Sequence, residues 1–114
     1  MRRTVIYLAC PMTKGNWTTN VRQCLQFAEE LFTKGYTPIA PVLTWFWDIV
    51  HYHSHEDWLE YAFGLVAVSD AVLRVPGVSE GADMELDYAV RHDIPIYTDI
   101  NDLYKELDNN VHES

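Results

Sequence analysis

Basic residues are scarce in this chain. Eight lysines and arginines stand against 17 aspartates and glutamates, a formal charge of −9 over 114 residues. Gripping the backbone of a nucleic-acid polymer takes a basic face. The balance therefore argues against DNA or RNA as a partner, while a small nucleotide held by a few local donors stays open. Cysteine is nearly absent as well. Cys10 and Cys24 make no disulfide framework and read as two reduced thiols of a cytoplasmic protein. Long apolar runs are missing: the longest, Ala62 to Val68, is too short to span a bilayer. The run Val5 to Cys10 behind Arg2 and Arg3 carries no small-residue cleavage pattern, so no signal peptide is expected. Repeats, low-complexity stretches and linkers are also lacking, which leaves one domain over residues 1–114. What is present is an apolar fraction of 48% and a charged fraction of 22%, the composition of a globular domain with a real core.

The pattern alternates strands with helices, the signature of a parallel α/β sheet. Thr4 to Ala9 is β-branched and aromatic, a buried first strand. Val21, Cys24, Leu25, Ala28, Leu31 and Phe32 recur at helical spacing, with Asn20 as the expected N-cap and Gly35 as the stop. Tyr36 to Ala40 reads as a second strand, placed at an edge by Pro38. Pro41 to Glu56 is aromatic-rich and gives no clear period. A helix is expected from about Glu56 to Val68, a third strand over Ala71 to Val75, and a helix marked by Ala82, Leu86, Ala89 and Val90 that closes near Asp93. Ile94 to Tyr97 follows as a fourth strand and Asp102 to Leu107 as a short last helix. The acidic end from about residue 108 is expected to fray.

Right-handed crossovers leave few ways to arrange such units. The expected fold is a flavodoxin-like or Rossmann-like three-layer sandwich, with a four- to five-stranded parallel sheet in the order 2-1-3-4. Ligands of such sheets bind beyond the carboxyl ends of the strands, where the strand order reverses. Here that brings the loop Cys10-Pro11-Met12-Thr13-Lys14-Gly15 toward the loop Pro76-Gly77-Val78-Ser79-Glu80-Gly81. The second loop opens a helix, whose N–H groups and dipole suit an anion, and Ser79 adds a hydroxyl. Glu85 lies about one turn inside that helix and can lean over the same crevice. The plain alternative is Ser79 as an N-cap and Glu85 as a solvated helix residue.

The stretch Ile6 to Thr13, IYLACPMT, resembles the YLAGPM opening of the nucleoside 2-deoxyribosyltransferase-like superfamily. Ser69 to Glu85 is similar to a second signature of that superfamily: an aspartate, a strand, a Pro-Gly turn and Ser-x-Gly-x-x-x-Glu. Ala89 to Ile96 is similar to the segment that follows. The resemblance runs from Val5 to about Tyr97 and points to short members found in phage and bacterial genomes. It implies cleavage or transfer at the N-glycosidic bond of a nucleotide or nucleoside, with Glu85 as the nucleophile at the anomeric carbon. A carboxylate suits that task, because it stabilises an oxocarbenium-like transition state and traps it covalently. Ser79 takes the position of a phosphate-binding serine in the nucleotide-hydrolysing branch, and Lys14 offers a further phosphate contact. Substrate contacts are expected from Tyr7, Cys10, Pro11, Met12, Lys14, Gly77, Ser79, Gly81 and Ala82, with no cofactor and no metal. Relatives build their sites at subunit interfaces, which implies a homodimer or larger homo-oligomer.

Two positions depart from the family pattern. Cys10 replaces the opening glycine. Ala62 stands where active members carry an aspartate that assists departure of the base. General-acid help is worth ~10²–10⁴-fold, so the alternative is a nucleotide-binding sensor or sequestering module with weak or no turnover.

Other groupings carry less. His51, His53, His55 and Asp57 would share one face of an extended segment and make a possible metal set, although a polar loop face, or one histidine near the ligand, explains them better. Trp45, Phe46, Trp47, Tyr52 and Trp58 can stack a base or fill a core or subunit interface. Cys10 has nothing in its loop to activate it as a nucleophile. Asp70 is expected to bond the turn before the third strand.

Overall fold

The computed structural model describes residues 3–12 and 15–113, with 109–113 described by their backbone alone. Strand β1 (Val5–Ala9) sits at its centre. Side chains of a strand alternate between faces, and here both faces are apolar. Ile6, Leu8 and Cys10 pack into one layer with Cys24 and Leu31 of helix α1 (Trp17–Thr33) and Leu103 of α5 (Ile100–Glu113). Tyr7 and Ala9 point the other way, to Ala62 and Val66 of α3 (His55–Ala67) and Ala82 and Ala89 of α4 (Glu80–Arg91). The result is a flavodoxin-like three-layer fold whose sheet is fully parallel.

The strands lie in the order β2-β1-β3-β4, where β2 is Thr37–Ile39, β3 is Ala71–Arg74 and β4 is Ile96–Tyr97. Pro38 stands opposite Ile6 on the edge strand, where its missing N–H costs no second ladder. β1 and β3 pair from Ile6↔Ala71 to Ala9↔Arg74. Their start is clasped twice: the Val5 N–H donates to the Asp70 carboxylate at 2.7 Å, and the Asp70 N–H donates to the Val5 carbonyl at 2.8 Å.

Several boundaries differ from those expected. Helix α1 begins at Trp17 and is capped by Asn16, whose Oδ1 accepts from the Thr19 N–H at 3.1 Å. Asn20 lies inside its first turn. The aromatic-rich stretch forms a 3-10 turn, Pro41–Leu43, and a short helix α2 (Thr44–Val50). No α2 residue is fully buried, so its apolar residues show no core-facing stripe. Helix α3 starts at His55, with the Ser54 hydroxyl accepting from the Asp57 N–H. β4 is shorter than expected, and helix α5 runs from Ile100 to Glu113, longer than the expected Asp102 to Leu107. Among the described residues, no helix is long and apolar enough to cross a membrane.

Candidate functional site

The two loops expected to converge do meet. Gly77 has φ +126°, and a Cβ built on it would lie 2.6 Å from Pro11 Cγ. Only glycine fits this approach. The Val75 N–H donates to the Ala9 carbonyl at 2.9 Å and continues the pairing past the end of β3. Arg74 then staples the turn: its guanidinium donates to the carbonyls of Val75 and Gly77 and to Asp83 Oδ1 at 3.2 Å. Ser79 ends the turn as the N-cap of α4, its Oγ accepting from the Ala82 N–H at 3.1 Å. The plain reading of Ser79 therefore holds, and its hydroxyl also faces a cavity.

That cavity has a volume of about 270 Å³. Cys10 and Met12 contribute from the end of β1, and Ser79, Gly81, Ala82 and Glu85 from the start of α4. Helix α3 lines it with His55, Trp58, Leu59, Tyr61, Ala62 and Leu65, residues at the 3–4 spacing of one helix face. Thr44, Trp45 and Asp48 of α2 make the remaining wall.

Glu85 is the most unusual group there. It is only 8% exposed, although a helical glutamate is ordinarily solvated. Its place in the stripe Ala82–Glu85–Ala89 turns it inward, as all three are buried. Burial pushes its carboxyl up to about 7, opposed by a hydrogen-bonding interaction with Tyr7 and the charge of Arg74. Tyr7 is fully buried beneath it, on the face of β1 that packs against α4. Burial and the Glu85 carboxylate hold the Tyr7 phenol well above its usual range, so it stays protonated. Its hydroxyl reaches no acceptor with full hydrogen-bond geometry. The pair is thus close enough for mutual influence but looser than a formed bond, and such contacts tighten when a site fills.

The aromatic wall is fixed by Asp48. Its Oδ1 accepts from Trp58 Nε1 at 2.8 Å and from the His53 N–H at 3.0 Å, and these bonds hold its carboxyl below the usual carboxylate range. Trp47 packs edge-on against Trp58 and Tyr61, with ring centroids at 5.1 and 5.3 Å. Trp45, Trp58 and Tyr61 reach the cavity, and the Trp45 indole N–H is buried with no partner among the described residues. Phe46 and Tyr52 lie outside, 70% and 81% exposed.

Of the residues singled out from sequence, Cys10, Met12, Ser79, Gly81, Ala82 and Glu85 come together at the cavity. Tyr7, Pro11 and Gly77 are not among its lining residues: Tyr7 and Pro11 are buried, and Gly77 lies in the exposed turn that packs on Pro11. Lys14 lies outside the described residues. The Cys10 thiol is 3.0 Å from that of Cys24. That contact, and burial, push it far above the usual thiol range, the opposite of an activated nucleophile. The histidine series does not form one face. His55 and Asp57 belong to helix α3, His53 pairs with Asp57 at 3.3 Å, and no metal-holding group of three or more ligands occurs among the described residues. Sequence reasoning missed Asp48, Leu59, Tyr61 and Leu65, and the role of Arg74 in the turn. Periodicity along α3 is the one signal that points to some of them. No family model, curated protein or solved structure matches the chain.

Proposed function

We propose that the protein cleaves the N-glycosidic bond of a nucleoside or nucleotide, with Glu85 as the nucleophile. The observation that carries this reading is the burial of the Glu85 carboxylate in the wall of an aromatic-lined cavity, over the hydroxyl of Tyr7. A carboxylate in a dry, apolar surround is a better nucleophile than a hydrated one, and its charge favours an oxocarbenium-like centre. Glu85 attacks the anomeric carbon, the bond to the base nitrogen breaks, and its electron pair leaves with the base. Water, or a second base, then displaces the carboxylate from the sugar. Trp45 and Trp58 offer faces on which a base can stack.

The described lining carries Asp48, Glu80 and Glu85 and no lysine or arginine. This favours a nucleoside over a doubly charged phosphate, which would depend on Ser79 and the N–H groups that open α4. The exposed apolar side chains of α2, Phe46, Ile49 and Val50 at 70%, 76% and 72%, support a homo-oligomer in which a second copy covers the aromatic wall.

Incubation with a panel of nucleosides and nucleoside monophosphates, followed by chromatography of the released base, tests the reading. Release that disappears in Glu85→Ala supports it. No release from any, or release unchanged in that variant, sinks it. One observation favours a second reading: Ala62 makes the cavity wall apolar where the resemblance puts an acid. A pure binding module follows from that, and it predicts calorimetric binding of a nucleoside without turnover.

A further inference from the structure

A neutral base leaves an N-glycoside far faster when its nitrogen is protonated as the bond breaks. Glu85 cannot supply that proton, because a nucleophile has to be ionised. Four other titratable groups line the cavity along with Glu85 and the Cys10 thiol: Asp48, His55, Tyr61 and Glu80. Asp48 is committed as an acceptor to Trp58 and the His53 N–H. Glu80 already has a partner of its own, and Tyr61 is packed into the aromatic wall against Trp47 and Trp58.

His55 is different on each count. It is the first residue of α3 and lines the cavity from that helix together with Trp58, Leu59, Tyr61, Ala62 and Leu65. No hydrogen bond or ion pair to another described residue engages its ring. The ring crosses to the opening turn of α4: a Cβ on Gly81 would lie 4.0 Å from His55 Cε1 and 3.9 Å from Ser79 Oγ. His55 on α3 and Glu85 on α4 therefore border the same cavity.

We propose that His55 is the proton donor to the departing base, an inference that rests on the glycosidase reading above. As Glu85 forms its bond to the anomeric carbon, the bond to the base nitrogen breaks, and the electron pair left there takes a proton from the imidazolium ring. The neutral imidazole then accepts a proton from the water that displaces Glu85, which regenerates both groups.

The test compares wild type, His55→Ala and His55→Gln on two substrates. One is an ordinary purine nucleoside. The other is its N7-methylated counterpart, whose base is already cationic and departs neutral without a proton. The expected result is a ~10²–10⁴-fold loss of kcat on the ordinary nucleoside in both variants, with the methylated one cleaved at close to the wild-type rate. Equal losses on the two substrates, or no loss on either, overturn the role of His55 while leaving Glu85 in place. A wild type that cleaves neither substrate overturns the glycosidase reading, and this proposal with it.

Discussion

Gly77 and Pro11 are locked in a contact that admits no side chain: a Cβ on Gly77 would stand 2.6 Å from Pro11 Cγ, on a backbone with φ +126°. This contact holds the loop after β3 against the loop after β1, and the mouth of the cavity depends on it. Gly77→Ala combines a disfavoured backbone conformation with a clash against a rigid ring. It is expected to cost roughly 2–4 kcal/mol, measured by urea denaturation, and to weaken nucleoside binding in calorimetry.

Glu85 links the site to stability. Its carboxyl rises from an ordinary 4.5 to about 7 in the folded protein. The folded state therefore holds this proton more tightly than the unfolded state, and stability falls as pH rises from about 4.5 to about 7. Above that window the full penalty applies, roughly 3 kcal/mol. Glu85→Gln removes the penalty. Its melting temperature is expected to exceed that of wild type at pH 8 and to converge with it near pH 4; on the proposed glycosidase reading, base release drops by ~10³-fold or more.

Tyr7 tunes the same carboxyl from below. Its interaction with Glu85 favours the ionised form, so Tyr7→Phe raises the Glu85 carboxyl further. The acidic limb of kcat/KM against pH is expected to move up by about one pH unit. Below the pH at which Glu85 ionises, global stability changes little, because the lost hydroxyl has no fully formed hydrogen bond; above it, the further-raised carboxyl costs about 1.4 kcal/mol more. A limb that stays in place would separate Tyr7 from Glu85.

Asp70 is tested by stability alone. Asp70→Ala leaves the Val5 N–H without its 2.7 Å acceptor and is expected to cost about 1–3 kcal/mol. Asp70→Asn keeps an acceptor and loses less. Neither changes the pH profile of activity, since Asp70 lies at the start of β3, at the opposite end of the strand from the cavity.

The sheet was legible because β1 and β3 are short, nearly uninterrupted apolar runs, and because Pro38 marked an edge. The convergence of the loops followed from strand order. Glu85 was legible as a residue type at the right spacing, and its inward turn was readable from Ala82 and Ala89 on either side. Helix α2 was not, because Trp45, Phe46 and Trp47 in succession carry no period and the helix buries none of them fully. Asp48 was hidden with it. His55 was masked by the alternation of His51, His53 and His55, which suggests an extended face. Ser54 caps a helix there instead, and only the helical spacing to Trp58 and Ala62 aims His55 at the cavity.

The clasp between Val5 and Asp70 spans 65 residues of sequence. Closing so long a loop is entropically costly, which makes non-local parallel pairing a slow event in folding. Synthesis from the N-terminus yields β1 and β2 first, with the Tyr7 face of β1 still bare. The carboxylate arrives with α4, and it is buried only when that helix packs on the Tyr7 face of β1. A nascent or partly unfolded chain therefore carries Glu85 as an ordinary hydrated acid.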